Sequence, residues 1–219
     1  MKIGIIVSSI LSFFSGIGLL LVAFRGNIDW IFLAFILLGL AAIGAAIKYT
    51  VGKKAYGYSG LGDLFVFLFF GIVGVAGSYY LQSKSFQLPI LAAATIMGAF
   101  CVAVLNLNNM RDIENDQVMG KNTLVVLLGS AKAKFYHYTL FAIIWIPQIV
   151  LFISYPYFPK TRWYVLFFTP VLIIHLVHLI KVKQTKDPRN FNPELKKIAL
   201  SSLLYAIILF IICYLNLPS

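Results

Sequence analysis

LPILAAATIMGAFCVAVLN, residues 88–106, is a run of 19 residues without a charged side chain. A helix rises about 1.5 Å per residue, so a run of this length crosses most of the roughly 30 Å of hydrocarbon in a bilayer. Because lipid offers no hydrogen-bond partner to backbone groups, a spanning segment of this kind must be helical. The run therefore predicts a transmembrane helix.

Six further apolar runs of similar length extend from it in both directions, at residues 3–24, 30–47, 64–81, 135–154, 162–181 and 198–215. The first exceeds the 7–15 apolar residues of a signal peptide, and no small-residue cleavage site follows, so it is interpreted as a retained helix. Only 11% of the 219 residues are charged, against about 25% in a soluble domain. We predict an all-α, polytopic membrane protein with seven transmembrane helices, forming one domain over residues 1–219.

The net charge of +11 is explained by short basic loops, which favour membrane topology and anionic lipid over nucleic-acid binding. Four of the 18 basic residues face one side: Arg25, Lys84, Lys160 and Arg162. Because positive residues stay inside, the opposite side is predicted to be cytoplasmic. It carries the other fourteen: Lys2, Lys48, Lys53, Lys54, Arg111, Lys121, Lys132, Lys134, Lys181, Lys183, Lys186, Arg189, Lys196 and Lys197.

One cytoplasmic segment, residues 106–129, reads NLNNMRDIENDQVMGKNTLVVLLG. If the fourth helix continues into it, Asn108, Asp112 and Asp116 recur at i, i+4 and i+8 and share one stripe. Carboxylates so close together suit Mg²⁺, which bridges carboxylates to substrate phosphates. Arg111 and Lys121 flank the stripe and are suited to phosphate. The alternative is a solvated acidic helix end beside its neutralising bases.

The same segment resembles the second aspartate motif of the UbiA superfamily of membrane prenyltransferases. The resemblance rests on Asn108-Asn109-Met110-Arg111-Asp112, Asp116 and Gly120-Lys121-Asn122-Thr123-Leu124. A second block is similar to the stretch that caps the active site in the branch acting on 1,4-dihydroxy-2-naphthoate in menaquinone synthesis. That block comprises Tyr49-Thr50-Val51-Gly52, Tyr56-Gly57-Tyr58, Gly60-Leu61-Gly62-Asp63 and Phe69-Phe70-Gly71.

The resemblance implies transfer of a polyprenyl group from polyprenyl diphosphate to the aromatic dihydroxy acid, with loss of the carboxylate, in the inner membrane of a bacterium. It implies Asp112 and Asp116 as catalytic residues, and Mg²⁺ held by both together with Asn108. Arg111 and Lys121 would bind the diphosphate. Lys53 and Lys54 are interpreted either as further diphosphate ligands or as topogenic charges.

The family has nine helices, with one aspartate motif after the second helix and the other after the sixth. Here four predicted helices precede the matching motif and three follow it, so we expect a domain without the first two helices and the first motif. Three interpretations compete: an enzyme whose sequence continues at the amino terminus, a non-catalytic fragment that binds a prenyl diphosphate, and a family member with another aromatic acceptor. A transporter is disfavoured, because ionisable clusters lie at helix ends rather than at mid-membrane.

Overall fold

Every regular element in the described part of the chain is helical. The computed structural model describes residues 2–50, 52, 55–154 and 166–215. Seven helices within these ranges are long and apolar enough to cross a membrane: Ile3–Ala23, Trp30–Tyr49, Gly62–Ser83, Leu88–Arg111, Leu124–Phe152, Leu166–Gln184 and Pro188–Tyr214. The prediction of an all-α, polytopic membrane protein is confirmed.

The described residues form nine α-helices, with 3₁₀ and π-helical segments between them. A 3₁₀ turn at Tyr56–Tyr58 precedes α3, a π-helical segment at Phe67–Gly77 joins α3 to α4, and a 3₁₀ turn at Pro188–Phe191 precedes α9. In chain order the α-helices are α1 (Lys2–Ala23), α2 (Trp30–Thr50), α3 (Gly62–Val66), α4 (Ser78–Ser83), α5 (Leu88–Arg111), α6 (Ile113–Val118), α7 (Leu124–Ser154), α8 (Thr169–Gln184) and α9 (Asn192–Leu215).

Two helices begin well before their apolar runs. Helix α7 begins at Leu124 rather than at residue 135, with a break at Gly129 (φ +74°, ψ 161°), and α9 begins at Asn192 rather than at residue 198. Polar residues lie between these starts and the apolar runs, among them Lys132 and Lys134 in α7 and Glu194, Lys196 and Lys197 in α9. Hydropathy therefore detects only the part of each helix that lies in hydrocarbon. Consequently most of the segment 106–129 is helical.

Helix α5 is the centre of the main core, where α7, α9 and the π-helical segment pack against it. Glycine permits the closest of these approaches. A Cβ on Gly71 would lie 2.6 Å from the Ala94 carbonyl oxygen and 2.7 Å from the Gly98 Cα. Small residues at such contacts let helix backbones pack closely in lipid, where apolar burial itself contributes little to association.

Helices α1 and α2 lie at the edge of this bundle. They contact each other through a small separate cluster of Leu20, Phe24 and Phe32. Most of their other large apolar side chains are exposed, among them Phe14, Val22 and Leu37. Exposed apolar side chains at this density belong against lipid rather than water.

Two contacts bring three polar segments together at one end of the bundle: the segment before α3, the segment from the end of α5 through α6, and the start of α9. The Asn122 backbone N–H donates to the Tyr58 carbonyl at 3.0 Å, which joins the segment after α6 to the segment before α3. The Arg111 Nη1 donates to Asn192 Oδ1 at 3.1 Å, which joins the end of α5 to the start of α9. The motif therefore lies where these three segments meet.

Candidate active site

The predicted stripe of Asn108, Asp112 and Asp116 forms, although the helix changes direction inside it. Asp112 ends α5 with φ −96° and ψ 7°, and α6 begins at the next residue. Helical hydrogen bonds nevertheless cross this point: the Asp112 N–H donates to the Asn108 carbonyl at 3.0 Å, and the Asp116 N–H donates to the Asp112 carbonyl at 2.8 Å. The three side chains thus follow one another turn by turn.

Arg111 lies at the centre of the exposed part of the stripe. Its Nε donates to Asp112 Oδ1 and its Nη2 to Asp112 Oδ2, each at 2.7 Å. The same Nη2 donates to Asn108 Oδ1 at 2.7 Å. This bidentate pairing with Arg111 lowers the pKa of Asp112 below its ordinary value. Asp112 therefore remains ionised at neutral pH.

Asp116 is buried and pairs with the second predicted cation, Lys121, with 3.2 Å between Oδ1 and Nζ. A backbone turn produces this pair. Gly120 adopts φ +67° after α6, its N–H donates to the Gln117 carbonyl, and the Lys121 N–H donates back to the Asp116 carbonyl. This is a Schellman ending, which needs a left-handed residue at the glycine position. The hydrogen bond with Asp116 raises the pKa of Lys121.

The segment resembling a cap does lie over the motif. The Lys121 Nζ is 5.3 Å from the centre of the Tyr58 ring. Gly60 adopts φ +76°, and a Cβ there would lie 2.8 Å from Leu127 Cδ1. Of the predicted site residues, only Lys53 and Lys54 cannot be placed, because both lie outside the described residues.

An apolar cavity of about 420 Å³ opens beside the stripe. Asn108 is the α5 residue of its lining that lies nearest the motif, and the walls come from α5, α9 and the helix that runs from α3 into the π-helical segment. They include Val66, Phe70, Met97, Phe100 and Leu105. The carboxylates and cations of the stripe begin one turn beyond Asn108, so charged groups lie next to an apolar cavity. Such an arrangement suits a ligand with a charged head and a hydrocarbon tail.

The oxygen donors of the stripe fit Mg²⁺. One amide oxygen and two carboxylates are hard ligands, and Mg²⁺ completes its shell with water and substrate phosphates. Within the described ranges no three His, Cys, Asp or Glu side chains cluster closely enough to hold a metal ion by themselves. In this structure Arg111 and Lys121 pair with the two carboxylates. The oxygen donors therefore suit a metal that binds together with a phosphate ligand, because the phosphate pairs with the two cations.

A buried polar chain beneath the motif was not predicted from the sequence. His137 Nδ1 lies 3.0 Å from Asn106 Oδ1, and His137 Nε2 lies 2.9 Å from His178 Nε2. His178 Nδ1 in turn bonds Glu194, whose other oxygen pairs with Lys197. The chain thus crosses α5, α7, α8 and α9 from the core to the surface. The spacing of His175 and His178 on one helix face was its only signal in the sequence.

Comparison with known proteins identifies the family of the chain. The model of the UbiA prenyltransferase family matches residues 4–203. The chain is 39% identical over 208 residues to the 1,4-dihydroxy-2-naphthoate octaprenyltransferase of Haemophilus influenzae, covering 95% of the chain and 66% of that protein. It is 47% identical over 137 residues to the enzyme of the same name from Escherichia coli, covering 63% of the chain and 44% of that protein.

A human relative, UbiA prenyltransferase domain-containing protein 1, is 31% identical over 114 residues, covering 52% of the chain and 32% of that protein. No solved structure matches the chain. The chain spans less than two thirds of the length of the curated relatives it matches. Because the family model covers nearly all of it, the chain belongs to the UbiA prenyltransferase family.

Proposed function

We propose that this protein transfers a polyprenyl group from polyprenyl diphosphate to 1,4-dihydroxy-2-naphthoate, with decarboxylation, in menaquinone synthesis. The observation that carries the proposal is the stripe of paired carboxylates and cations, whose first residue, Asn108, lines an apolar cavity. Relatives named as naphthoate octaprenyltransferases support the acceptor. The isoprenoid tail lies in the cavity, and its diphosphate lies against the stripe.

The groups that hold the diphosphate are paired with one another in this structure. Arg111 and Lys121 exchange a carboxylate for phosphate oxygens, Arg111 through its planar fork. Asn108, Asp112 and Asp116 then become available as oxygen ligands. UbiA prenyltransferases generally depend on a divalent metal, and we propose Mg²⁺ in this position. When bound, Mg²⁺ neutralises charge on the departing diphosphate.

Transfer breaks the bond between isoprenoid C1 and the diphosphate oxygen, which leaves with the electron pair. The acceptor ring carbon that carries the carboxylate bonds to C1. The carboxylate then departs as CO₂, and its electron pair restores the aromatic ring. The cations hold the departing charge where it develops, while the apolar cavity walls keep water from the allylic cation.

The direct test is prenyl transfer in membranes that contain the protein, with a labelled polyprenyl diphosphate and 1,4-dihydroxy-2-naphthoate. We expect a labelled, decarboxylated product when Mg²⁺ is present and none when the metal is chelated. Product with 4-hydroxybenzoate but not with the naphthoate would contradict the acceptor. Metal-dependent retention of the diphosphate without any product would identify a binding protein rather than an enzyme.

The proposal also places the site on the cytoplasmic side of the membrane. In a background with Cys101→Ala and Cys213→Ala, we expect Ser59→Cys and Asn190→Cys to react with an impermeant maleimide only after cells are opened. Ser85→Cys, in the loop between α4 and α5, should react in intact cells. The reason is the distribution of basic residues, fourteen against four. Labelling of Ser59→Cys from outside would invert the topology.

A further inference from the structure

Asp63 is a buried carboxylate that the diphosphate chemistry does not use. It lies in the first turn of α3 and is only 6% exposed. The Tyr136 side chain on α7 lies close enough to interact with this carboxylate. Its Oδ2 is fully buried and has no hydrogen-bond partner among the described residues. A buried carboxylate oxygen without a donor is costly and points to a missing partner.

Asp63 lies in α3 one turn before the residues of that helix that line the cavity of the proposed site. Val66, one turn farther along, and then Phe70 both line that cavity. Across from them on α5, Leu105 also lines the cavity and lies 3.8 Å from the point where a Cβ on the neighbouring Gly62 would sit. Helices α3 and α5 run in opposite directions, so Asp63, next to Gly62, lies near the level of Leu105. Asn108 lies one turn farther along α5, toward the motif.

A neutral donor suits the unpaired oxygen. A second anion is excluded, because it would repel the carboxylate. A ring hydroxyl of the acceptor fits, since it donates one hydrogen bond and brings no charge of its own.

We propose, on the basis of the proposed function, that Asp63 Oδ2 binds the aromatic acceptor by accepting a hydrogen bond from one of its ring hydroxyls. Tyr136 fixes the carboxylate by donating to it. The contact turns the ring so that its reacting carbon faces the cavity, where isoprenoid C1 lies. A hydroxyl bonded to a carboxylate also releases electron density into the ring, which favours attack on an allylic cation.

Binding tests this without requiring transfer. The probes are 1,4-dihydroxy-2-naphthoate and 2-naphthoate, which lacks both hydroxyls, measured by thermal shift on the purified chain in detergent. We expect the dihydroxy compound to bind the unmodified chain about 10- to 100-fold more tightly, as for a charge-assisted hydrogen bond. Asp63→Asn should remove that difference, and Tyr136→Phe should reduce it. Glu114→Gln, which alters an exposed acid, should preserve it.

The two proposals fail in different ways. Equal affinity of the unmodified chain for both probes would overturn the role of Asp63, whether or not transfer occurs. An equal loss of affinity for both probes in Asp63→Asn would show that Asp63 has a structural role. That result would also overturn the proposed role in acceptor binding. If transfer is absent while the hydroxyl-dependent difference persists and requires Asp63, the acceptor site stands and the catalytic proposal fails. Where transfer occurs, Asp63→Asn should raise KM for the acceptor and leave KM for the diphosphate unchanged.

Discussion

Asp112→Asn and Asp116→Asn are each expected to lower prenyl transfer by at least about 100-fold, the loss typical of removing one preorganised electrostatic contact in an active site. Both substitutions preserve size and keep one oxygen, so the paired cation retains an acceptor. What disappears is the negative charge that holds a divalent metal against the diphosphate. Transfer of labelled isoprenoid measures the rate, and metal-dependent retention of the labelled diphosphate measures binding.

Glu114→Gln is the matched control, because Glu114 lies in the same short helix but is exposed. It should leave both rate and retention near those of the unmodified protein. The solvated-helix-end interpretation makes a different prediction, in which all three substitutions behave alike. Near-normal turnover in Asp112→Asn or Asp116→Asn would favour that interpretation and remove the stripe from the mechanism.

Most of the transmembrane fold was predictable, because a span needs only length and apolarity, and both are local properties. The errors came at the starts of α7 and α9, where helices continue beyond hydrocarbon with polar residues such as Lys132 and Glu194. Hydropathy cannot distinguish such a turn from a loop. Backbone hydrogen bonds identify it, and they depend on neighbours that the apolar pattern does not reveal.

The site was predictable where it depends on spacing within one helix. Asn108, Asp112 and Asp116 share a stripe because i, i+4 and i+8 always do. The partners of these residues were harder to predict. Arg111 and Lys121 were expected at the phosphate, yet each pairs with an aspartate when no phosphate is present. An arginine or lysine side chain can pair with a carboxylate or with a phosphate. The sequence alone does not say which of the two it contacts.

The buried series of hydrogen bonds from Asn106 to Glu194 could not be predicted from the sequence, for a different reason. Its links join residues 31, 41 and 16 positions apart, on four different helices. No local pattern encodes such a contact, because it arises only when the helices pack. Chains of this kind hold the helices in one arrangement, since each donor is satisfied only in that arrangement.

His178→Leu is therefore expected to destabilise the folded protein by about 2–4 kcal/mol, as for breaking a buried hydrogen-bonded link to a charged group. The substitution removes the middle link and leaves His137 Nε2 and one Glu194 oxygen without their partner. Both groups are buried, so water cannot replace it. Thermal unfolding in detergent, or unfolding in mixed micelles containing dodecyl sulfate, measures the loss.

His175→Leu is the matched control, one turn earlier on α8 and equally buried. His175 contacts Trp145 Nε1 and Ser201 Oγ, but Ser201 also donates to the Ile198 carbonyl and so keeps a partner. The two substitutions change volume alike and differ in what they leave unpaired. We expect a loss of about 1 kcal/mol from His175→Leu, the net worth of an ordinary hydrogen bond. Equal losses of unfolding free energy from both substitutions would mean that packing, rather than the link to Glu194, stabilises this region. The arrangement of α8 and α9 beneath the motif would then depend on side-chain packing alone.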